Sequence, residues 1–110
     1  MKSISAARSP RAVREAPAGS WTFLTHHAHV LLSVAADPEA RLRDLAERVG
    51  LTERAVQRIV SDLLAGGYVS VTKVGRRNRY RVNGRLALRH PIERHRTVKA
   101  LVELVLGPRG

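Results

Sequence analysis

The chain has no cysteine, one methionine, one tryptophan and one phenylalanine, and nine acidic residues against twenty lysines and arginines. Without cysteine there is no disulfide, no thiolate metal ligand and no thiol nucleophile, which fits a reducing compartment. No apolar run approaches the roughly 20 residues that span a bilayer, and the first residues lack the apolar core of a secretory signal. A cytoplasmic location with no membrane partner is expected. A P-loop, a GxSxG elbow and an HExxH pair are all missing, and the carboxylates are scattered beside arginines, where ion pairing is their ordinary role. The chain is therefore expected to be neither an enzyme nor a cofactor carrier. With 110 residues there is room for one domain of modest core.

What is present is positive charge, unevenly placed. The formal net charge is +11 at pH 7, and Coulomb attraction favours a polyanionic partner. Between residues 41 and 62 five arginines meet four acids, so that stretch is nearly neutral. Between 69 and 99 ten basic residues face one acid, Glu93. Residues 1–20 mix Ser, Ala, Pro and Gly with Lys2, Arg8, Arg11 and Arg14 and show no apolar periodicity. They are expected to form a disordered basic arm, either a solvated tail or an arm that touches phosphates.

Order is expected from Trp21, with Trp21 and Phe23 in the core and Thr25 as the N-cap of a first helix over 26–36 that Asp37 and Pro38 stop. Residues 39–42 form an extended link that pairs weakly with a later hairpin. A second helix from Leu42 or Arg43 to Val49 places Leu42, Leu45, Ala46 and Val49 on one face, and Gly50 ends it. Leu51 packs, Thr52 caps, and a third helix over 53–65 buries Val56, Ile59, Val60, Leu63 and Leu64. Its other face carries Glu53, Arg54, Gln57, Arg58 and Ser61. Arginine and glutamine are the side chains that read guanine and adenine edges in a major groove. Any exposed helix face is polar, so this face alone is weak evidence.

The following segment adds to it. Gly66 and Gly67 end the helix, residues 68–72 alternate as a strand, and Gly75, Arg76, Arg77 and Asn78 supply turn chemistry. The return strand over 79–82 puts Arg77, Arg79 and Arg81 in one row, with Lys73 across the turn. Such a row is costly unless phosphates or solvent neutralise it, although charge on a sheet edge also guards against aggregation. Pro91 is placed to open a last helix over 91–106, whose stripe of Ile92, Val98, Leu101, Val102 and Val105 suits a homodimer interface. Packing back onto the first helix is the competing reading.

The order of helix, short link, LRDLAERVGLTERAVQRIVSDLLAGGYV and arginine-rich hairpin resembles the winged helix-turn-helix of small bacterial transcription regulators, similar to the MarR and ArsR groups. The resemblance runs from Leu24 to Val82, and WTFLTHHAHVLL and RRNRYRV also look like short regulators of high-GC Gram-positive bacteria. It implies a mainly α fold with a small β-hairpin, a winged helix-turn-helix with an added C-terminal helix. The organisation it suggests is an arm over 1–20, a DNA-binding domain over 21–84 and a dimerising segment over 85–110. It further implies that Thr52 bonds phosphate, that Glu53, Arg54, Gln57, Arg58 and Ser61 face the major groove of double-stranded DNA, and that Lys73, Arg76, Arg77, Asn78, Arg79 and Arg81 form the wing on the backbone or minor groove. Longer flanking helices and a cysteine-based metal site, common in those groups, are missing.

Two other functions fit a basic winged helix: binding RNA or the ribosome, or binding protein alone. Readers of single-stranded RNA expose aromatic platforms, whereas the four aromatics here are expected mostly in the core. His26, His27 and His29 cluster, and His26 and His29 could share a helix face, but two ligands do not make a metal site and none is expected.

Overall fold

The computed structural model describes residues 20–108, so the arm expected over 1–20 lies, but for Ser20, outside the described residues. Helix α1 (His26–Ala36) is the centre of the packing: Val30, Leu31, Leu32 and Val34 are all buried. Two further helices, the second strand of the hairpin and the last helix pack around it. The Thr25 hydroxyl accepts from the Ala28 N–H at 3.1 Å and opens α1, and the Asp37 N–H closes it on the Ser33 carbonyl.

Helix α2 (Leu42–Val49) begins with the Asp44 carboxylate accepting from the Arg41 N–H at 3.2 Å. This satisfies an orphan donor and sets negative charge at the positive end of the helix dipole. Gly50 takes φ 76°, a left-handed conformation cheap only for glycine. Its N–H and that of Leu51 both donate to the Ala46 carbonyl. Two residues later helix α3 (Glu53–Ala65) starts under Thr52, whose hydroxyl accepts from the Ala55 N–H at 3.1 Å. Val56, Ile59, Val60 and Leu63 are its buried face, packed on α1 and α2.

Strands β1 (Val69–Val74) and β2 (Arg77–Val82) pair antiparallel from Val69↔Val82 at the base to Val74↔Arg77 at the tip. The turn is shorter than the sequence suggests. Gly75, at φ 64°, and Arg76 make it alone, the two-residue connection with glycine first that suits the twist of a hairpin. Arg77 and Asn78, expected in the turn, are strand residues, and β1 runs two residues further than 72.

Along the ribbon only Val69 and Tyr80 are buried. The link before α2 holds it from outside. The Tyr80 N–H donates to the Pro38 carbonyl at 2.8 Å, Arg77 Nη2 donates to the Glu39 carbonyl at 2.7 Å, and Arg79 Nε donates to the Glu39 carboxylate at 2.9 Å. The expected weak pairing of the link is thus one main-chain bond at Pro38 and three side-chain bonds at Glu39, one from Arg77 and two from Arg79, without a third strand.

The last helix is shorter than expected. Helix α4 is Val98–Leu106, opened by the Thr97 hydroxyl accepting from the Ala100 N–H at 3.2 Å. Residues 89–96 are turns. Between Ile92 and Val98 lie five consecutive polar residues with no apolar face to bury, and Thr97 caps where Pro91 was expected to start. Val98 (1% exposed) and Val102 (8%) lie in the chain's own core against α1, so they are not free for a partner, whereas Ile92 is 80% exposed. The competing reading, packing back onto the first helix, holds for these two residues. Trp21 and Phe23 also depart from expectation: both are exposed, in edge-to-face contact at 4.9 Å. Only Leu24 of that opening packs on the core. At the base of the wing the Lys99 N–H donates to the Gly84 carbonyl at 3.0 Å, and a Cβ on Gly84 would sit 3.0 Å from the Cβ of Lys99.

Leu45, fully buried under α1 and α3, should lose about 2–5 kcal/mol of stability as Leu45→Ala in chemical denaturation. Thr97→Ala should cost about 1 kcal/mol through its cap. Because Val98 packs within the monomer, the melting point of Val98→Ala should fall by the same amount at every protein concentration; a loss that grows on dilution would place Val98 in an interface.

Candidate nucleic-acid interface

The outward face of α3 follows from what its inward face buries. Arg54, Gln57, Arg58 and Ser61 recur at i, i+3, i+4 and i+7, one stripe opposite the core, and all four are exposed. Among the described residues their side chains make no hydrogen bond or ion pair. The acid next to this stripe is engaged elsewhere: Asp62 lies 2.8 Å from Nε2 of His27 on α1. The stripe therefore presents two guanidiniums, an amide and a hydroxyl with their hydrogen-bonding capacity free.

Thr52 is placed where the resemblance put it, at the first turn of α3, but its hydroxyl is already used as the cap. Glu53 is exposed and faces a cleft between the wing tip and the start of α2. Arg41, Arg43, Arg76 and Arg77 line that cleft with Glu39 and Glu53. The wing tip and the N-terminus of the third helix thus lie at one end of the molecule. Arg41, Arg43 and Glu39 were not among the residues singled out from sequence. Nothing local marks them, because they join the site only when the link folds against a hairpin some forty positions later.

The wing splits by strand parity. Arg77, Arg79 and Arg81 share a face with Val74, Thr72 and Ser70, while Lys73 and Asn78 pair on the opposite face with Val71, Tyr80, Val69 and Val82. The row of three guanidiniums is present, but solvent and phosphate are not its only neutralisers. Glu39 takes Arg79 by its carboxylate and Arg77 by its carbonyl. Arg76 at the turn, Lys73 and Arg81 carry no such partner among the described residues. These groups are exposed, and exposed pairs are worth little. Glu39 therefore positions Arg79 more than it stabilises the fold.

The rings of His26 and His29 lie 6.1 Å apart edge to face, His27 is bonded to Asp62, and the Nδ1 of His90 accepts from the Ile92 N–H. Among the described residues no three His, Cys, Asp or Glu side chains gather in a way that could hold a metal ion. Nor is any described helix long and apolar enough to cross a membrane.

No curated protein matches the chain. Residues 27–70, from the second residue of α1 to the start of the wing, match the family model described as winged helix-turn-helix DNA-binding. With three helices, a tight Gly50 turn before the third, and a two-stranded hairpin directly after it, the chain has a winged helix-turn-helix fold, and over residues 27–70 it is similar to winged helix-turn-helix DNA-binding domains.

Proposed function

We propose that the protein is a sequence-specific, double-stranded DNA-binding regulator of transcription that acts as a homodimer. The observation that carries this reading is the unpartnered stripe of Arg54, Gln57, Arg58 and Ser61 on the third helix, whose first residue, Glu53, shares a cleft with an arginine-tipped wing. Arginine pairs with guanine and glutamine with adenine, so the stripe would read base edges in the major groove. Arg76, Arg77, Arg79, Arg81 and Lys73 would hold the backbone or the adjacent minor groove, with Asn78 beside them, and fix register without reading sequence. Thr52 would offer phosphate the main chain of its turn. Glu53 suits a cytosine amino group better than a phosphate.

Dimerisation would use the apolar side chains that α4 leaves outside, chiefly Leu104 and Val105, with Leu101 at their edge. A twofold pair would place two third helices on half-sites about one DNA turn apart.

A second reading, binding of RNA, is favoured by one observation: Trp21 and Phe23 are exposed aromatic rings beside α1. They contact each other edge to face and do not form an open stack of parallel faces. Competition between a duplex DNA pool and structured RNA decides between the two readings.

In selection from a random duplex pool the chain should enrich one motif. Gln57→Ala and Arg58→Ala should each relax preference at one position by about 1–3 kcal/mol, whereas Arg76→Ala should weaken all sequences alike. Equal losses on specific and random DNA for both helix variants would rule out the third helix as the reader. Glu39→Gln should free Arg79 and tighten binding to random duplex, steepening the log–log salt dependence by about 0.9, one phosphate contact. In sedimentation, Leu104→Asp should convert dimer to monomer; wild-type protein that is already monomeric at micromolar concentration would overturn the dimer.

A further inference from the structure

The winged helix-turn-helix leaves half of the basic segment unused. Between residues 85 and 99 lie Arg85, Arg89, Arg94, Arg96 and Lys99 against the single acid Glu93. The segment is folded into a defined loop. The Val98 N–H donates to the Leu86 carbonyl at 2.8 Å and the Leu88 N–H to the Arg96 carbonyl at 2.9 Å, closing the loop's two arms. Two further bonds, from Glu93 N–H to His90 and from Arg96 N–H to Glu93, turn the chain inside it. Leu86 and Leu88 pack against the core and root the loop, and its cations point outward, exposed.

Few of these charges have partners. Lys99 approaches Glu103 at 4.0 Å, and the Arg89 guanidinium sits over the Tyr68 ring at 5.9 Å. Arg85, Arg94 and Arg96 have no side-chain partner among the described residues. Their place in the fold sets them apart from the wing. The Tyr68 hydroxyl donates to the Ala87 carbonyl at 3.3 Å, so the loop is tied to the C-terminal end of α3. The wing tip and Glu53 meet at the N-terminal end. At 1.5 Å per residue these ends are about 18 Å apart.

We propose that the loop over 85–96 is a second phosphodiester-binding surface, which takes the DNA backbone at a segment other than the one held by the third helix and the wing. The inference rests on the DNA-binding reading above. Four of the five cations are arginines, whose planar fork matches phosphate oxygens in pairs. Ile92 is the one large apolar side chain the loop exposes, too little apolar area to seat it in a bilayer. A protein with two such surfaces gains contacts as the duplex lengthens past one footprint, or bridges two duplexes.

The test uses the full chain and two random duplexes, one of about 12 and one of about 60 base pairs, roughly one and six helical turns. Replacing Arg94→Gln and Arg96→Gln together should lower the log–log salt slope on the long duplex by about 1.8, two phosphate contacts, and leave the short duplex unchanged. Arg94→Lys with Arg96→Lys should restore the slope, since the charge is kept. Unchanged slopes on both duplexes would overturn the proposal, as would equal losses on both, which would put the loop in the first footprint. It would equally be overturned if the glutamine pair lost binding to phosphatidylserine vesicles but not to long DNA. Wild-type protein that bound neither duplex would remove the DNA-binding reading along with this one.

Discussion

A two-stranded ribbon is marginal in water on its own, and this wing buries only two of its side chains, Val69 at the base and Tyr80 two pairs further along. Tyr80 carries the arrangement: its side chain is in the core while its N–H is bonded to Pro38, so one residue fixes the ribbon to the helices and to the link between the first two of them. Everything beyond that point, Arg79 and the cleft that Arg76 and Arg77 share with Glu53, takes its position from this joint. The packing around α1 decides that the chain folds. The joint at Tyr80 decides where its charges end up.

How far the sequence could be read depended on whether the controlling signal was local. The third helix is the clearest case, because Thr52, the apolar set from Val56 to Leu63 and the paired glycines after Ala65 all act within a few residues of where they sit. Gly50 marked the turn for the same reason. The last helix starts later than Pro91 suggests, since Pro91 and Thr97 are both acceptable openings and only the polar run between them, with nothing to pack on, favours Thr97. Trp21 and Phe23 run against the usual burial of large apolar residues because they precede the first cap and fall beyond the reach of a core that Leu24 already closes.

The candidate interface divides along the same line. Arg54, Gln57, Arg58 and Ser61 could be named from helical periodicity. The grip of Glu39 on Arg77 and Arg79 could not, being a contact between residues about forty positions apart that depends on how the link is laid down. Its effect is electrostatic. In a chain this poor in acid, the one carboxylate at the wing commits Arg79, while Arg77 is held by the carbonyl of the same residue. At the third helix His27 holds the Asp62 carboxylate at 2.8 Å, at the edge of the polar stripe.

Gly84 has a consequence for how the molecule tolerates change. Where the wing ends, the main chain of residue 84 rests on that of Lys99, with a hydrogen bond across the gap and only tight space for a methyl group, 3.0 Å from the Lys99 Cβ. The separation between the ribbon and the terminal helix is accordingly a property of the backbone, not of side-chain volume. Variation in the size of neighbouring residues leaves that separation alone, whereas a methyl group at position 84 asks the start of the terminal helix at Lys99 to give by a few tenths of an ångström.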